Sequence, residues 1–265
     1  MSQASEPGAP PPGGCDGLAG RVVLVTGSSR GLGAELVRVL ASLGARVVIN
    51  CRSGLDAAEC LGAELRGKGA EALVCRADVT DFAQAGVLVD ETVRAFGSVD
   101  VLVNTVGTFG WHPVAETDPA EWRRMMASNL DSVYHMCRLS LPIMRQKHWG
   151  RIVNMGAVGA ERASGEPKIA AYSAAKAAVV AFSKALALEE ARYGITVNVI
   201  SPGVLVDDAL PAPPPPPGSA TWTDRVPVGR AGSAADVARA VAFFASPAAG
   251  FLTGQVLAVA GGWHL

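Results

Sequence analysis

The sequence lacks most of what would mark a specialised setting. No charge of one sign dominates: 23 Lys and Arg stand against 24 Asp and Glu, a formal net charge of −1. Nothing in that balance calls for a nucleic acid partner. No apolar run reaches the ~18 residues needed to cross a bilayer. The opening residues, Ser2-Gln3-Ala4-Ser5-Glu6-Pro7, carry no basic and apolar leader. Cys15, Cys51, Cys60, Cys75 and Cys137 are odd in number and without metal-ligand spacing, so they read as buried or incidental reduced thiols and no metal site is expected. No internal repeat and no second domain stand out. From these absences a soluble protein in a reducing, cytoplasmic setting is expected.

What is present is an apolar, strongly patterned chain. With 265 residues, 49% of them hydrophobic, it can bury the core of one large α/β domain or of two small ones. Residues 1–17 are rich in Pro and Gly without periodicity and read as a disordered tail. From there to residue 265 a single domain is expected. Arg21 to Val25 is a continuous apolar run of the kind buried on both faces of a parallel sheet. Further strands are expected at 45–50, 71–76, 99–103, 151–155, 195–200 and 255–259. Helices alternate with them: one after the first strand with Leu36, Val39, Leu40 and Leu43 on one side, and others near 54–68, 81–96, 119–146, 170–193 and 234–245. Such alternation gives an α/β fold, a doubly wound parallel sheet with helices on both faces and the ligand at the carboxyl ends of the strands. One segment breaks the order. Pro211 and Pro213 to Pro217 favour polyproline II, so 204–224 reads as a stiffened loop or lid over the crevice.

Thr26-Gly27-Ser28-Ser29-Arg30-Gly31-Leu32-Gly33 follows the first strand and opens an amphipathic helix. In that context glycine backbone lets N–H groups reach a pyrophosphate at the positive end of the helix, so a dinucleotide is expected. After the second strand the chain reads Asn50-Cys51-Arg52-Ser53, with no carboxylate to accept from a ribose 2′-hydroxyl. Arg30 and Arg52 would suit a 2′-phosphate instead. NADPH is the expected cofactor; the alternative is that both arginines are solvated surface groups.

Tyr172 and Lys176, in Tyr172-Ser173-Ala174-Ala175-Lys176, are one helical turn apart and share a face. A nearby ammonium favours the phenolate and is expected to lower the tyrosine pKa, so that Tyr172 can exchange a proton with a substrate oxygen. Lys176 can also donate to the cofactor ribose.

The two motifs together resemble the short-chain dehydrogenase/reductase family, and the 3-oxoacyl-(acyl-carrier-protein) reductase-like members in particular. The resemblance spans about residues 18–263. Asp78-Val79 looks like the family's adenine-contacting pair, Asn104-Thr105-Val106-Gly107 like its Asn-Asn-Ala-Gly turn, and Ser201-Pro202-Gly203 like the turn behind the nicotinamide. Gly261-Gly262 is also usual. The family implies a single-domain Rossmann fold with seven parallel strands in the order 3-2-1-4-5-6-7, and assembly into dimers or tetramers. It implies a cofactor site from Gly27, Ser29, Arg30, Gly31, Leu32, Gly33, Arg52, Ser53, Asp78, Val79, Asn104, Val106, Gly107, Tyr172, Lys176, Pro202, Gly203 and Val204. Asn129, in Ser128-Asn129-Leu130, matches the catalytic helix Asn, which would help hold a water that carries protons to Lys176.

Two departures stand out. The family's catalytic Ser is missing: Gly159 sits thirteen residues before Tyr172, and Ala157 takes the equivalent place if the following loop is two residues longer. Losing such a donor costs about 3–4 kcal/mol of transition-state stabilisation. Ser164 folding back, His112, or a substrate that needs no such donor are the open answers. Asp207 stands where the family often has a Thr.

Aromatic and apolar residues cluster after the fourth, fifth and sixth strands. Phe109, Trp111, Ala157, Val158, Glu161, Leu205, Leu210 and Trp222 would line a largely apolar substrate pocket, although each aromatic could equally be ordinary packing. The expected function is NADPH-dependent reduction of a C=O, C=N or C=C bond in a medium-to-bulky small molecule, with secondary metabolism as one setting. The alternatives are a redox-silent nucleotide-binding member and a non-redox cyclase or dehydratase. Trp263, His264 and Leu265 are expected to reach a neighbouring subunit.

Overall fold

The structure is a computed structural model that describes residues 15–205 and 221–263. Seven parallel strands form one sheet: β1 (Val22–Val25), β2 (Arg46–Cys51), β3 (Ala72–Arg76), β4 (Val101–Asn104), β5 (Gly150–Met155), β6 (Ile195–Pro202) and β7 (Val256–Val259). Their order is β3-β2-β1-β4-β5-β6-β7. Seven principal helices connect them: α1 (Gly31–Ser42), α2 (Leu55–Gly67), α3 (Phe82–Phe96), α4 (Pro119–Met126), α5 (Ser132–Lys147), α6 (Ala170–Glu190) and α7 (Ala234–Ala245).

The period-2 alternation of the strands divides the core into two layers. Val23, Val25, Val47, Ile49, Val101 and Val153 face one side, with Leu36 and Leu40 of α1 and Val237 and Val241 of α7. Leu24, Val48, Leu102, Ile152 and Val197 face the other, with Leu88 of α3, Met136 of α5 and Val179 of α6. All four residues of β1 are buried, which is why it reads as an unbroken apolar run. Because β1 and β4 are neighbours while β2 and β5 lie on opposite sides of them, the strand order reverses at β1/β4 and opens a crevice at the carboxyl ends.

Two expectations are corrected. The tail ends earlier than residue 17: Cys15–Leu18 forms a 3-10 turn and Leu18 is fully buried, an apolar anchor that the surrounding Gly and Pro hid. Residues 1–14, like His264 and Leu265 at the other end, lie outside the described residues.

The helix expected over 119–146 is two helices joined by a π turn at Ala127–Asp131. Local side chains compete for its backbone carbonyls: Asn129 Nδ2 donates to Met125 O at 3.1 Å and Ser132 Oγ to Ser128 O at 2.7 Å. Such π turns in helices often mark functional sites.

Ala170–Tyr193 is long and apolar enough by length and composition to span a membrane, although Lys176 and Lys184 break any continuous apolar run. Its apolar face is instead part of the core: Ala175, Val179, Val180, Leu186 and Ala187 are buried, together with Lys176 and Glu190.

Candidate active site

The turn between β1 and α1 is shaped by two close approaches. Gly27 has φ +62°, and a Cβ there would meet Val106 Cγ2 at 2.8 Å. A Cβ on Gly33 would meet Gly27 O at 2.6 Å, so α1 packs on the turn with no room for a side chain. Ser28 Oγ donates to Val25 O at 2.7 Å and accepts from Asn50 N at 3.0 Å. Arg30 occupies the cap position of α1, and no side chain caps the helix. The amide groups at Gly31, Leu32 and Gly33 are therefore left for an anion. The cradle fits a pyrophosphate.

Asn50 is fixed by structure and is not a ribose contact. Its Oδ1 accepts from Gly27 N at 3.0 Å, and Nδ2 donates to Cys75 O and Ala77 O. Arg52 and Ser53 follow it, exposed. Arg52 pairs with Asp78 at 3.5 Å. Burial pushes the Asp78 carboxyl up, but hydrogen bonds from Thr80 and the charge of Arg52 outweigh it and hold the group below its ordinary value. The side chain of Val79 is buried in the core.

Asn104 is turned inward: its Nδ2 donates to Asn154 Oδ1 at 2.8 Å, while its buried Oδ1 has no partner among the described residues. Thr105, where the family has its second Asn, donates from Oγ1 to Thr26 O. Pro202, Gly203 and Val204 leave the end of β6, with Gly203 against Ala260.

Tyr172 and Lys176 lie on one face of α6, the Lys176 ammonium 5.7 Å from the Tyr172 ring centroid. Lys176 Nζ donates to Met155 O at 2.8 Å, which ties α6 to the end of β5. Asn129 is fully buried; its Nδ2 also donates to Thr108 O at 2.9 Å, and its Oδ1 is unpartnered among the described residues. Gly107 brings these groups together. A Cβ there would stand 2.5 Å from Asn129 Oδ1 and 3.6 Å from Lys176 Nζ, so an orphan acceptor and a buried ammonium border one small space.

The expected lowering of the Tyr172 pKa is corrected. Burial pushes the phenol up to about 12 and pushes Lys176 down to about 8. The ammonium is committed to a carbonyl and sits over the ring, so desolvation outweighs its pull on the hydroxyl. Tyr172 is thus held protonated, as suits a proton donor.

Phe109 rests edge-on against Tyr172, with centroids 5.1 Å apart, and Trp111 follows it at 6.0 Å. Ala157 and Val158 lead out of β5, and Ala157 packs against Ala160, Val180 and Val199. Glu161 pairs with Arg162 at 3.5 Å. Leu205 packs against the α1/α7 core layer. Trp222 begins a 3-10 turn. Leu210, Asp207 and the prolines of 211–217 lie outside the described residues.

Ser164 does fold back, but onto Gly159. Its Oγ occupies the space that a side chain at 159 would need, and that hydroxyl donates to Gly159 O at 3.0 Å. His112 lies 3.5 Å from Glu121, and its backbone N–H donates to Lys168 O at 2.8 Å, so the loops after β4 and β5 are laced together. Sequence reasoning missed Glu121 and Lys168 in that lacing and Thr108–Ser128, whose hydroxyls lie 2.6 Å apart. Only the proximity of Thr108 and Ser128 to the singled-out Phe109 and Asn129 hinted at them. No metal-binding cluster occurs among the described residues.

Known proteins resemble this chain over nearly its whole length. The family described as Enoyl-(Acyl carrier protein) reductase matches residues 27–264. The chain is 40% identical to the 3-oxoacyl-(acyl-carrier-protein) reductase FabG of Haemophilus influenzae, across 94% of this chain and 100% of that one. It is 37% identical to FabG of Escherichia coli, across 93% and 98%. Among solved structures it is similar to a gluconate 5-dehydrogenase from Burkholderia cenocepacia in complex with NADP and tartrate. There the TM-score is 0.84 at 35% identity, over 93% of this chain and 96% of that one. A mutant short-chain dehydrogenase/reductase from Serratia marcescens gives a TM-score of 0.85 at 32% identity, over 94% and 100%. The chain belongs to the short-chain dehydrogenase/reductase family and is an NAD(P)H-dependent oxidoreductase.

Proposed function

We propose that the protein is an NADPH-dependent reductase of a C=O bond, or of a related C=N or C=C bond, in a medium-to-bulky and largely apolar small molecule. The observation that carries this reading is the Tyr172–Lys176 pair beside an aromatic wall, with Asn129 behind it. NADPH would be held by the Gly27–Gly33 turn, the free amide groups of α1 and the guanidinium groups of Arg30 and Arg52. When bound it supplies the hydride. Tyr172 supplies the proton to the substrate heteroatom, Lys176 steadies the ribose and replenishes that proton, and Asn129 Oδ1 offers an acceptor for a connecting water. The aromatic edge of Phe109 excludes water from the Tyr172 ring and favours a flat or bulky substrate. The gluconate 5-dehydrogenase with bound NADP supports NADP(H), as does the absence of a carboxylate from Asn50 to Ser53. The test is titration of NADPH and NADH by fluorescence, followed by turnover against ketones, quinones, enones and cyclic imines.

One observation favours a second reading. Ala157 carries no donor, so a non-redox or redox-silent protein that keeps Tyr172 for proton transfer, or only keeps the nucleotide, is the rival. It would bind NADPH tightly, and any turnover would leave the nicotinamide absorbance unchanged.

The protein is further proposed to work in the cytoplasm as a homodimer or homotetramer. Tyr134 and Leu188 are exposed on α5 and α6, and Leu257 on the edge strand β7. Apolar faces of this kind support burial against a second copy. Sedimentation would show a species of two or four chains.

A further inference from the structure

Arg30 stands after β1, Arg52 after β2, and Arg76 is the last residue of β3; all three are exposed. Arg76 is the one that sequence reasoning passed over, because nothing in a strand-ending Arg marks it. In the register of the sheet it lies beside Cys51, the residue just before Arg52. Its Nε donates to Arg52 O at 3.2 Å. Its terminal nitrogens make no hydrogen bond among the described residues, so the rest of the guanidinium fork is free. Arg52 in turn is held from its side-chain end by Asp78 at 3.5 Å. The backbone of Arg52 is thus braced from β3 and its side chain from the residue two beyond the end of β3.

We infer that Arg76 is a specificity-determining positioning residue for the cofactor's 2′-phosphate. It fixes the carbonyl of Arg52 and thereby the start of the β2–α2 loop, and it brings a third positive charge, beside Arg30 and Arg52, to the ribose end of the site. This rests on the NADPH reading above. A guanidinium suits the double role, because one edge of the fork can hold a carbonyl while the other stays available to a phosphate. Asp78 tethers the exposed Arg52 side chain beside the end of β3, and Arg76 supplies the charge that Asp78 offsets.

The test is binding without turnover. Adenosine 2′,5′-bisphosphate and adenosine 5′-monophosphate are titrated calorimetrically into the full chain, its Arg76→Met and Arg76→Lys variants, and Arg52→Met. Losing a charge-assisted contact is worth roughly ten- to a hundredfold in Kd. Arg76→Met is expected to weaken the bisphosphate by tenfold or more and to leave the monophosphate within about twofold. Arg76→Lys, which keeps a donor and the charge, recovers most of the loss. Equal weakening of both probes, or of neither, overturns the inference. If Arg52→Met loses the preference and Arg76→Met keeps it, NADPH selection stands and the role of Arg76 falls. A wild-type protein that binds the two probes alike removes the NADPH reading itself.

Discussion

Phe109 meets the ring of Tyr172 edge-on, centroids 5.1 Å apart and planes at 73°. The loop after β4 therefore reaches the proposed proton donor on α6 directly, and Asn129 holds that loop through Thr108 O. An edge-to-face aromatic pair contributes about 0.5–1.5 kcal/mol beyond its area. Phe109→Ala is expected to lower kcat/KM up to about tenfold while leaving the Kd for NADPH unchanged. Unchanged kcat/KM on every substrate that the protein turns over would remove Phe109 from the site.

Gly107 is the point where backbone must pass between Asn129 and Lys176. An alanine there would place Cβ 2.5 Å from Asn129 Oδ1, so either the π turn or the β4 loop must move. Gly107→Ala should cost at least tenfold in kcat. The control is Gly67→Ala at the end of α2, where a Cβ meets nothing within 4 Å; it should stabilise the fold by about 0.5–1 kcal/mol and leave kcat alone. Steady-state rates and thermal melts of the two variants separate the cases.

Lys176 trades stability for function. Its pKa falls from 10.5 to about 8 on folding, so below pH 8 the folded chain carries a buried charge that the unfolded chain keeps in water. The destabilisation is fully present below pH 8 and is relieved as pH rises toward 10.5, because over that interval the unfolded state holds the extra proton. The shift corresponds to roughly 3 kcal/mol. Lys176→Met should abolish turnover yet unfold at higher denaturant, with the stability gain shrinking above pH 8. For the wild type, kcat/KM for reduction should fall above about pH 8 as the ammonium is lost. A profile flat to pH 10, or a variant less stable than wild type at pH 7, would contradict this assignment.

The scaffold was almost wholly legible in the sequence, because buried parallel strands are written as apolar runs and their helices as 3.6-residue periods. Val22–Val25 and Ala234–Ala245 needed no correction beyond a residue. Of the candidate site, the arrangement was legible where geometry demands a residue type in a fixed place, as with the close approaches at Gly27 and Gly33 and the shared face of Tyr172 and Lys176. It was not legible where long-range contact decides. The π turn at Ala127–Asp131 carries Asn129, whose reach across to Thr108 O is a contact that sequence distance hides. The pKa of Tyr172 depends on burial, which overrides the i,i+4 neighbour that the spacing brought forward. Arg76 acts through a carbonyl that sequence distance does not reveal.

Ala157 is the clearest gap in the chemistry. Ser164 donates to Gly159 O and Thr108 shares its hydroxyl with Ser128, so neither stands as a ready donor. Ala157→Ser should raise kcat for ketone reduction tenfold or more, since one such donor is worth about a hundredfold in related sites. No gain on any ketone would mean that another group already fills the role.

The most direct test is oxidation of NADPH, followed by its near-ultraviolet absorbance, against ketones, quinones, enones and cyclic imines with wild type and Tyr172→Phe. A reductase that uses Tyr172 as proton donor gives turnover in the wild type on at least one class and loses it at least a hundredfold in the variant, with NADPH binding intact in both. Tight NADPH binding without oxidation, or oxidation that survives Tyr172→Phe, would contradict it.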